Sequence, residues 1–225
     1  MLFNEYELAV DPKVAALGIS LVAFTASGLS NRRPSDALNA GLPDIEAIGR
    51  RLKSSYGNHR NEALEGFKIL RERCRRSWKR YPPSCLSLSE LYEIKGRVPS
   101  ISPIVDLYNA FSLASGLSLG AHDVRALTGN VSLSFSEGGE EFRPLGSIKT
   151  QILPASEYVY RDDNAILCRM EARQANHSAI KADTTDALFI VQGHDLMPAE
   201  YIQGVASELI DGLSLMHPKT DSIII

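Results

Sequence analysis

Hydrophobic and polar positions alternate between two periods along this chain, and the change of period divides it. Leu17 to Phe24 reads Leu-Gly-Ile-Ser-Leu-Val-Ala-Phe, an apolar run with β-branched and aromatic members bounded by Pro12 and Gly28. It predicts a buried strand. Residues 31–43 are turn-rich, with Pro34, Gly41 and Pro43. Asp44 is placed to cap a helix carrying Ile45, Ile48, Leu52 and Tyr56 on one face, and Gly57-Asn58-His59 breaks it. A second helix is predicted from Glu62 to Arg80. Leu64, Phe67, Leu70, Cys74 and Trp78 form its apolar stripe, and Pro82-Pro83 ends it. A short helix from Leu86 to Tyr92 precedes a linker through Pro99. Ile104 to Ser115 is helical again, with Leu107, Phe111 and Ala114 on one face and Gly116 in the C-cap position. Asp106 and Asn109, three apart, share a face of that mostly apolar helix and need partners, a first sign of a site.

The second half shortens its period. Val131-Ser-Leu-Ser-Phe135 alternates as a strand does, and residues 157–160, 165–168 and 187–191 are further short strands. Gly138-Gly139 and Arg161-Asp162-Asp163-Asn164 are turns. Ala199 to Met216 is a closing amphipathic helix. Helices first and strands later, without βαβ alternation, predict an α+β fold: one domain with a mixed β-sheet flanked by helices. Residues 1–59 form an N-terminal strand and helix extension integrated with the core, 60–217 the main domain and 218–225 a tail. The tail's Ile223-Ile224-Ile225 either packs on a neighbour or hangs free.

Composition sets limits on this picture. At 225 residues, 44 % apolar and 23 % charged, the chain has ordinary globular values that exclude disorder, collagen and coiled coil. Three separated cysteines, Cys74, Cys85 and Cys168, indicate neither a disulfide framework nor a zinc ribbon. Met1 to Glu5 lacks a signal-peptide pattern, and the run from Val14 to Leu29 is too short to span a bilayer. The expectation is a reduced, cytoplasmic protein with no membrane contact. A net charge of −3 disfavours a nucleic-acid coat, but it hides an asymmetry. Residues 50–80 hold 11 of the 24 Lys and Arg and 3 of the 27 Asp and Glu, a balance of +8 that leaves −11 for the remainder. The cations Arg71, Arg75, Arg76, Lys79 and Arg80 therefore predict a basic helix face that contacts RNA phosphates.

Candidate chemistry narrows the function further. Gly116-Leu-Ser118-Leu-Gly120 matches the GxSxG string of serine hydrolases, but that string needs a strand before its serine and here a helix stands there. It is read as a chance match. His122-Asp123 and His194-Asp195 lack the further ligands of a metal site and are read as solvated loop pairs. No metal and no cofactor is expected. Cys168 is read as a small core residue.

The stretch from Ile104 to Asp123 carries a stronger signal. It resembles, without gaps, the Val-Val-Asp-Val-Thr-Asn…Gly-Gln-Pro-Leu-His-Ala-Phe-Asp stretch of the bacterial phenylalanyl-tRNA synthetase beta chain, which lies in its editing module, the B three/four domain. Val105, Asp106, Asn109, Leu113, Gly116, Leu119, Ala121 and Asp123 agree with that pattern. Gly139-Glu140 with Leu145-Gly146, Asp162, and Thr185 before Leu188-Phe189 follow the later order, so the resemblance covers roughly residues 60–215. The synthetase module hydrolyses the ester of a tRNA carrying the wrong amino acid, tyrosine. This chain departs from it at three places. Gly120 stands where the family has histidine, and His122 where it has phenylalanine. Tyr108 replaces a threonine. Residues 169–174 replace the glycine-rich loop, so tyrosine specificity does not carry over. Freestanding relatives look similar to this chain in that loop.

The resemblance implies a trans-editing aminoacyl-tRNA deacylase, an enzyme acting through an ordered water, with tRNA and an aminoacyl ester as partners. Asn109 and His122 are its catalytic candidates. Tyr108, Gly116, Gly120, Arg173, Gln174 and Thr185 are substrate-binding candidates. Asp106, Asp123 and Glu140 are read as structural polar groups. The alternatives are a non-catalytic module that binds tRNA or an amino acid, and a hydrolase of small esters or amides.

Overall fold

The computed structural model describes residues 7–32, 43–217 and 220–225. The N-terminal sequence Met1 to Glu5 and most of the turn-rich 31–43 stretch lie outside the described residues. Chain order begins β1 (Leu8–Val10), α1 (Pro12–Ala15), β2 (Ile19–Ser27), α2 (Ile45–Tyr56), α3 (Arg60–Arg73), α4 (Ser84–Lys95) and α5 (Pro103–Ser115). Short strands follow: β3 (Ser118–Asp123), β4 (Val131–Phe135), β5 (Glu141–Phe142), β6 (Gln151–Ile152), β7 (Tyr158–Arg161), β8 (Ile166–Arg169) and β9 (Arg173–Gln174). Then come β10 (Ala187–His194), α6 (Ala199–Met216) and β11 (Asp221–Ile224). The α+β class is as the sequence predicts, with the strands divided between two main sheets.

One sheet runs β11-β2-β10-β3 and is antiparallel; the other runs β1-β4-β7-β8-β9, with β1 and β4 parallel and the remaining pairs antiparallel. The period of two along β10 decides what each face of the first sheet buries. Ala187, Phe189 and Val191 face the helices, in a core with Phe24, Phe111, Val205 and Leu209. Leu188 and Ile190 face the second sheet, in a core with Leu133, Tyr158, Tyr160, Leu167 and Phe67 of α3. All eight β10 residues are buried, as a strand paired on both edges and packed on both faces requires. The terminal strand β11 pairs Ile223 with Thr25 and Ile224 with Phe24, which ties the end of the chain to the sheet.

Local signals explain most boundaries. Asp44 Oδ1 accepts a hydrogen bond from the Ala47 N–H at 2.9 Å and starts α2. Gly116, left-handed at φ 77°, ends α5. Two expectations need correction. The predicted helix from Glu62 to Arg80 stops at Arg73, and the chain turns through a left-handed Arg75 at φ 55°. Arg71 points inward there, so no continuous basic helix face exists. Residues 118–123, expected to be a loop, form edge strand β3.

Gly116 provides a test. Its φ is left-handed, and a Cβ there would stand 2.5 Å from the Arg60 carbonyl oxygen. At Gly120 nothing lies within 4 Å of a Cβ. Gly116→Ala is expected to cost about 1–3 kcal/mol in denaturant unfolding, and Gly120→Ala close to nothing. Equal losses at the two positions contradict this assignment.

Candidate functional site

Edge strand β3 separates two cavities. The Asp123 N–H donates to the Ser178 carbonyl at 2.9 Å, and the Ala121 carbonyl accepts from Gln174 Nε2 at 2.7 Å, both on the side away from β10. Alternate residues of an antiparallel ladder direct their backbone groups to the same edge. The Leu119 N–H and carbonyl therefore point outward as well. They face a cleft of about 300 Å³ whose walls include Ser84, Asn109, Ser112, Leu119, Ala172 and Arg173. Asn109 comes from α5 and Arg173 from the start of β9. Among the described residues neither side chain has a hydrogen-bond or ion-pair partner.

The Met170–Arg173 segment that walls this cleft is held from below. Met170 and Glu171 are both left-handed, at φ 48° and 44°. Arg71, 1 % exposed, donates to the Met170 carbonyl at 3.2 Å, to Glu171 Oε1 at 2.5 Å and to the Tyr81 carbonyl at 2.9 Å. The Tyr158 hydroxyl also donates to Glu171. Burial pushes the Glu171 carboxyl up, against the pull of the Arg71 guanidinium. Arg76 and Arg169 both donate to Glu157, which is fully buried. Burial raises the Glu157 carboxyl, but these two partners outweigh it and hold it low. The RNA-contacting face expected from sequence is thus corrected: Arg71 is a core residue, and Arg76 is committed to Glu157. Arg75, Lys79 and Arg80 remain exposed, with Lys79 lying 5.6 Å from the Trp78 ring centre.

On the other face of β3, Gly120 and His122 line a chamber of about 40 Å³ between the sheets, with Ser118, Tyr160 and Gln192. The chamber exists because Gly120 leaves this layer without a side chain. The His122 ring is 4 % exposed, with Nδ1 at 3.0 Å from the Ser178 hydroxyl. Burial, with His177 adding to it, pushes its pKa down to about 4. His122 and His194 are buried on strands, not solvated on loops: the His194 Nε2–H donates to the Ala63 carbonyl at 2.9 Å. Cys168 also lines the chamber, and burial pushes its thiol up to about 12, which keeps it protonated. Ser118, from the GxSxG string, touches the Ser84 hydroxyl.

The remaining candidates lie elsewhere. Gln174 is occupied with Ala121. Tyr108 is buried in the helix-side core, and Gly116 sits against Arg60. Thr185 is exposed, with its hydroxyl on Asp186. Asp106 accepts from the Ile101 N–H at 2.7 Å and the Ser100 hydroxyl at 2.8 Å. Asp123 accepts from Arg125 and Thr184, and Glu140 from the Glu137 and Gly138 N–H groups. Sequence reasoning missed Ser84, Arg169 and Glu171. Among the described residues no group of three His, Cys, Asp or Glu is placed to hold a metal, and no helix is long and apolar enough to cross a membrane.

The family of the B3/4 domain matches residues 71–202. The chain belongs to the B3/4 domain family. That match takes in the whole cleft wall, from Pro82 to Arg173. Among solved structures, the N-terminal fragment of the phenylalanyl-tRNA synthetase beta-subunit from Pyrococcus horikoshii superposes with a TM-score of 0.52 at 12 % identity. The superposition covers 97 % of this chain and 51 % of that one, so this B3/4 protein spans about half the length of the fragment. The likeness is one of fold. Comparison with curated proteins gives no match.

Two measurements test the site's architecture. Removing one partner of a buried ion pair leaves a buried charge alone, so Arg71→Met is expected to lower unfolding free energy by about 3–5 kcal/mol. Arg71→Met with Glu171→Leu is expected to recover most of that, and a double variant as unstable as the single one contradicts the coupling. The second measurement is acid titration of stability. An unfolded histidine takes its proton near pH 6.5, whereas folded His122 stays neutral down to about pH 4. Between those values the unfolded state binds more protons, so stability falls as pH falls. The loss from this group is on the order of 3 kcal/mol. His122→Gln is expected to flatten that part of the stability curve, and an unchanged curve refutes the assignment.

Proposed function

We propose that this protein is an aminoacyl-tRNA deacylase that hydrolyses the ester of a mischarged tRNA in trans. The observation that carries the reading is the outer cleft. There an unpartnered Asn109 amide and an unpartnered Arg173 guanidinium share the walls with an outward Leu119 N–H. Membership of the B3/4 family supports it. The family resemblance read from Ile104 to Asp123 supplies the choice of an aminoacyl ester.

The chemistry asks little of the protein. The ester is already activated, and holding it beside an ordered water removes most of the entropic barrier. The water oxygen adds to the ester carbonyl, with the Asn109 amide orienting it. The Leu119 N–H and Arg173 stabilise the oxyanion of the tetrahedral intermediate. Collapse breaks the bond to the ribose oxygen, which takes up the proton that the attacking water gives up, and free amino acid and uncharged tRNA leave. His122 faces the inner chamber and is a weak base at neutral pH, so this scheme draws its rate from positioning and oxyanion stabilisation. The same placement of His122 favours a second reading, in which the cleft binds charged tRNA without turnover.

A panel of mischarged tRNAs incubated with the folded protein separates them. Release of at least one amino acid above buffer is expected, and Asn109→Ala or Arg173→Ala is expected to slow it by roughly 10²–10³. No release from any tRNA refutes the deacylase. Retention of intact charged tRNA then supports the binding module.

A further inference from the structure

A second groove, of about 360 Å³, lies behind the wall that closes the outer cleft. Pro82, Ala172 and Arg173 belong to both, so the two hollows meet at Arg173. Arg80, Tyr81 and Arg169 line the groove's far side, and among the described residues no aspartate or glutamate lines it. The guanidiniums of Arg80 and Arg169 each lie 5.5 Å from the Tyr81 ring centre, so the ring holds both. Glu157 balances one of its two partners, Arg76 and Arg169, and leaves one positive charge uncompensated. Among the described residues Arg80 and Arg173 have no acidic partner. A chain of net charge −3 therefore gathers about three uncompensated positive charges around one groove.

Several cations elsewhere among the described residues are paired. Arg73 pairs with Asp195, Arg51 with Glu208, Lys68 with Glu65 and Arg125 with Asp123. Guanidiniums left without an acidic partner around one groove are available to an anion from outside. Arginine forks match phosphate oxygens, and neutralising phosphates releases counterions.

We propose that this groove is a phosphodiester site, and that it holds the single-stranded 3′ RNA segment leading to the ester, with Arg80 and Arg173 as the phosphate contacts. RNA is favoured over a free anion because the groove runs into the ester cleft at Arg173. The choice of RNA rests on the deacylase reading, but occupancy of the groove does not require hydrolysis.

The test uses the full chain and an uncharged ribotrinucleotide, cytidylyl-cytidylyl-adenosine, with binding followed by calorimetry across a salt series. Affinity is expected to fall with salt. Arg80→Ala, at a residue outside the ester chemistry, is expected to weaken binding about tenfold and to reduce the salt slope by about one. Lys53→Ala, at an exposed position of α2, is the control and is expected to change nothing. The same trinucleotide with uncharged methylphosphonate linkages is expected not to bind. No binding of the phosphodiester form, equal binding of the methylphosphonate form, an Arg80→Ala variant with unaltered affinity, or inorganic phosphate binding as tightly as the trinucleotide each overturns the proposal. If the trinucleotide binds as described while no mischarged tRNA is deacylated, the groove stands and the deacylase reading falls. If deacylation occurs and Arg80→Ala leaves both binding and turnover unchanged, the reverse holds.

Discussion

The Arg71–Glu171 pair fixes the shape on which everything around the cleft depends. It joins residues 100 positions apart, with side chains 1 % and 4 % exposed. Taking two such charges from water costs several kcal/mol per ion, so the pair contributes little net stability compared with apolar residues of the same volume. Its contribution is geometrical. Two successive non-glycine residues in the left-handed region, Met170 and Glu171, cost on the order of 1–3 kcal/mol each. They persist because Arg71 bonds the Met170 carbonyl and the Glu171 carboxylate together, while Tyr158 takes the other carboxylate oxygen. The turn then delivers Ala172 and Arg173 to the wall between cleft and groove. Arg71 also accepts no freedom on its other side, because its Nε–H holds the Tyr81 carbonyl. One guanidinium thus sets the position of both flanks of the groove.

The same pairing accounts for the charge asymmetry. A segment with eight surplus cations beside a remainder with eleven surplus anions looks, in one dimension, like a nucleic-acid contact. In three dimensions much of it is cross-linking. Arg51, Arg71, Arg73 and Arg76 reach Glu208, Glu171, Asp195 and Glu157, all outside the segment. Partly buried members of this set are weakly screened and tie α3 and the turn after it to the second half of the chain, while Arg51 joins α2 to α6. Part of the positive charge left unpaired collects from two separate stretches of chain around Tyr81.

How far the sequence was legible follows from the range of each interaction. α2, α5, α6 and strands β4, β7, β8 and β10 are written in local periodicity and caps, and their boundaries sit within a few residues of expectation. β3 was legible too: Leu117, Leu119 and Ala121 alternate with Ser118, Gly120 and His122. The GxSxG string and the following His-Asp drew the reading toward a loop instead. Arg71 was not legible. A cation on a helix reads as solvated unless its buried partner is known, and that partner is 100 residues away. For the site, Asn109 and Arg173 reached one cleft because the motif around each fixes its local direction. Gln174, one residue on, faces away for the reason that makes any strand alternate.

That alternation also bears on what chemistry the cleft can support. β3 is an edge strand, so one set of its residues directs its backbone groups away from β10 while the other directs its side chains between the sheets. Leu119 belongs to the first set, and Gly120 and His122 to the side-chain layer of the chamber. A histidine at 122 cannot exchange these roles without slipping the β3–β10 register, which would turn Leu119 and Ala121 out of the core. Burial compounds the separation, since a ring neutral down to about pH 4 is a poor proton acceptor at neutral pH. What remains on the cleft side is an unpartnered amide, an unpartnered guanidinium and a backbone donor. Such a set stabilises charge as it develops on a carbonyl oxygen and supplies no strong nucleophile. On the proposed reading it therefore suits an ester already close to hydrolysing better than an unactivated amide.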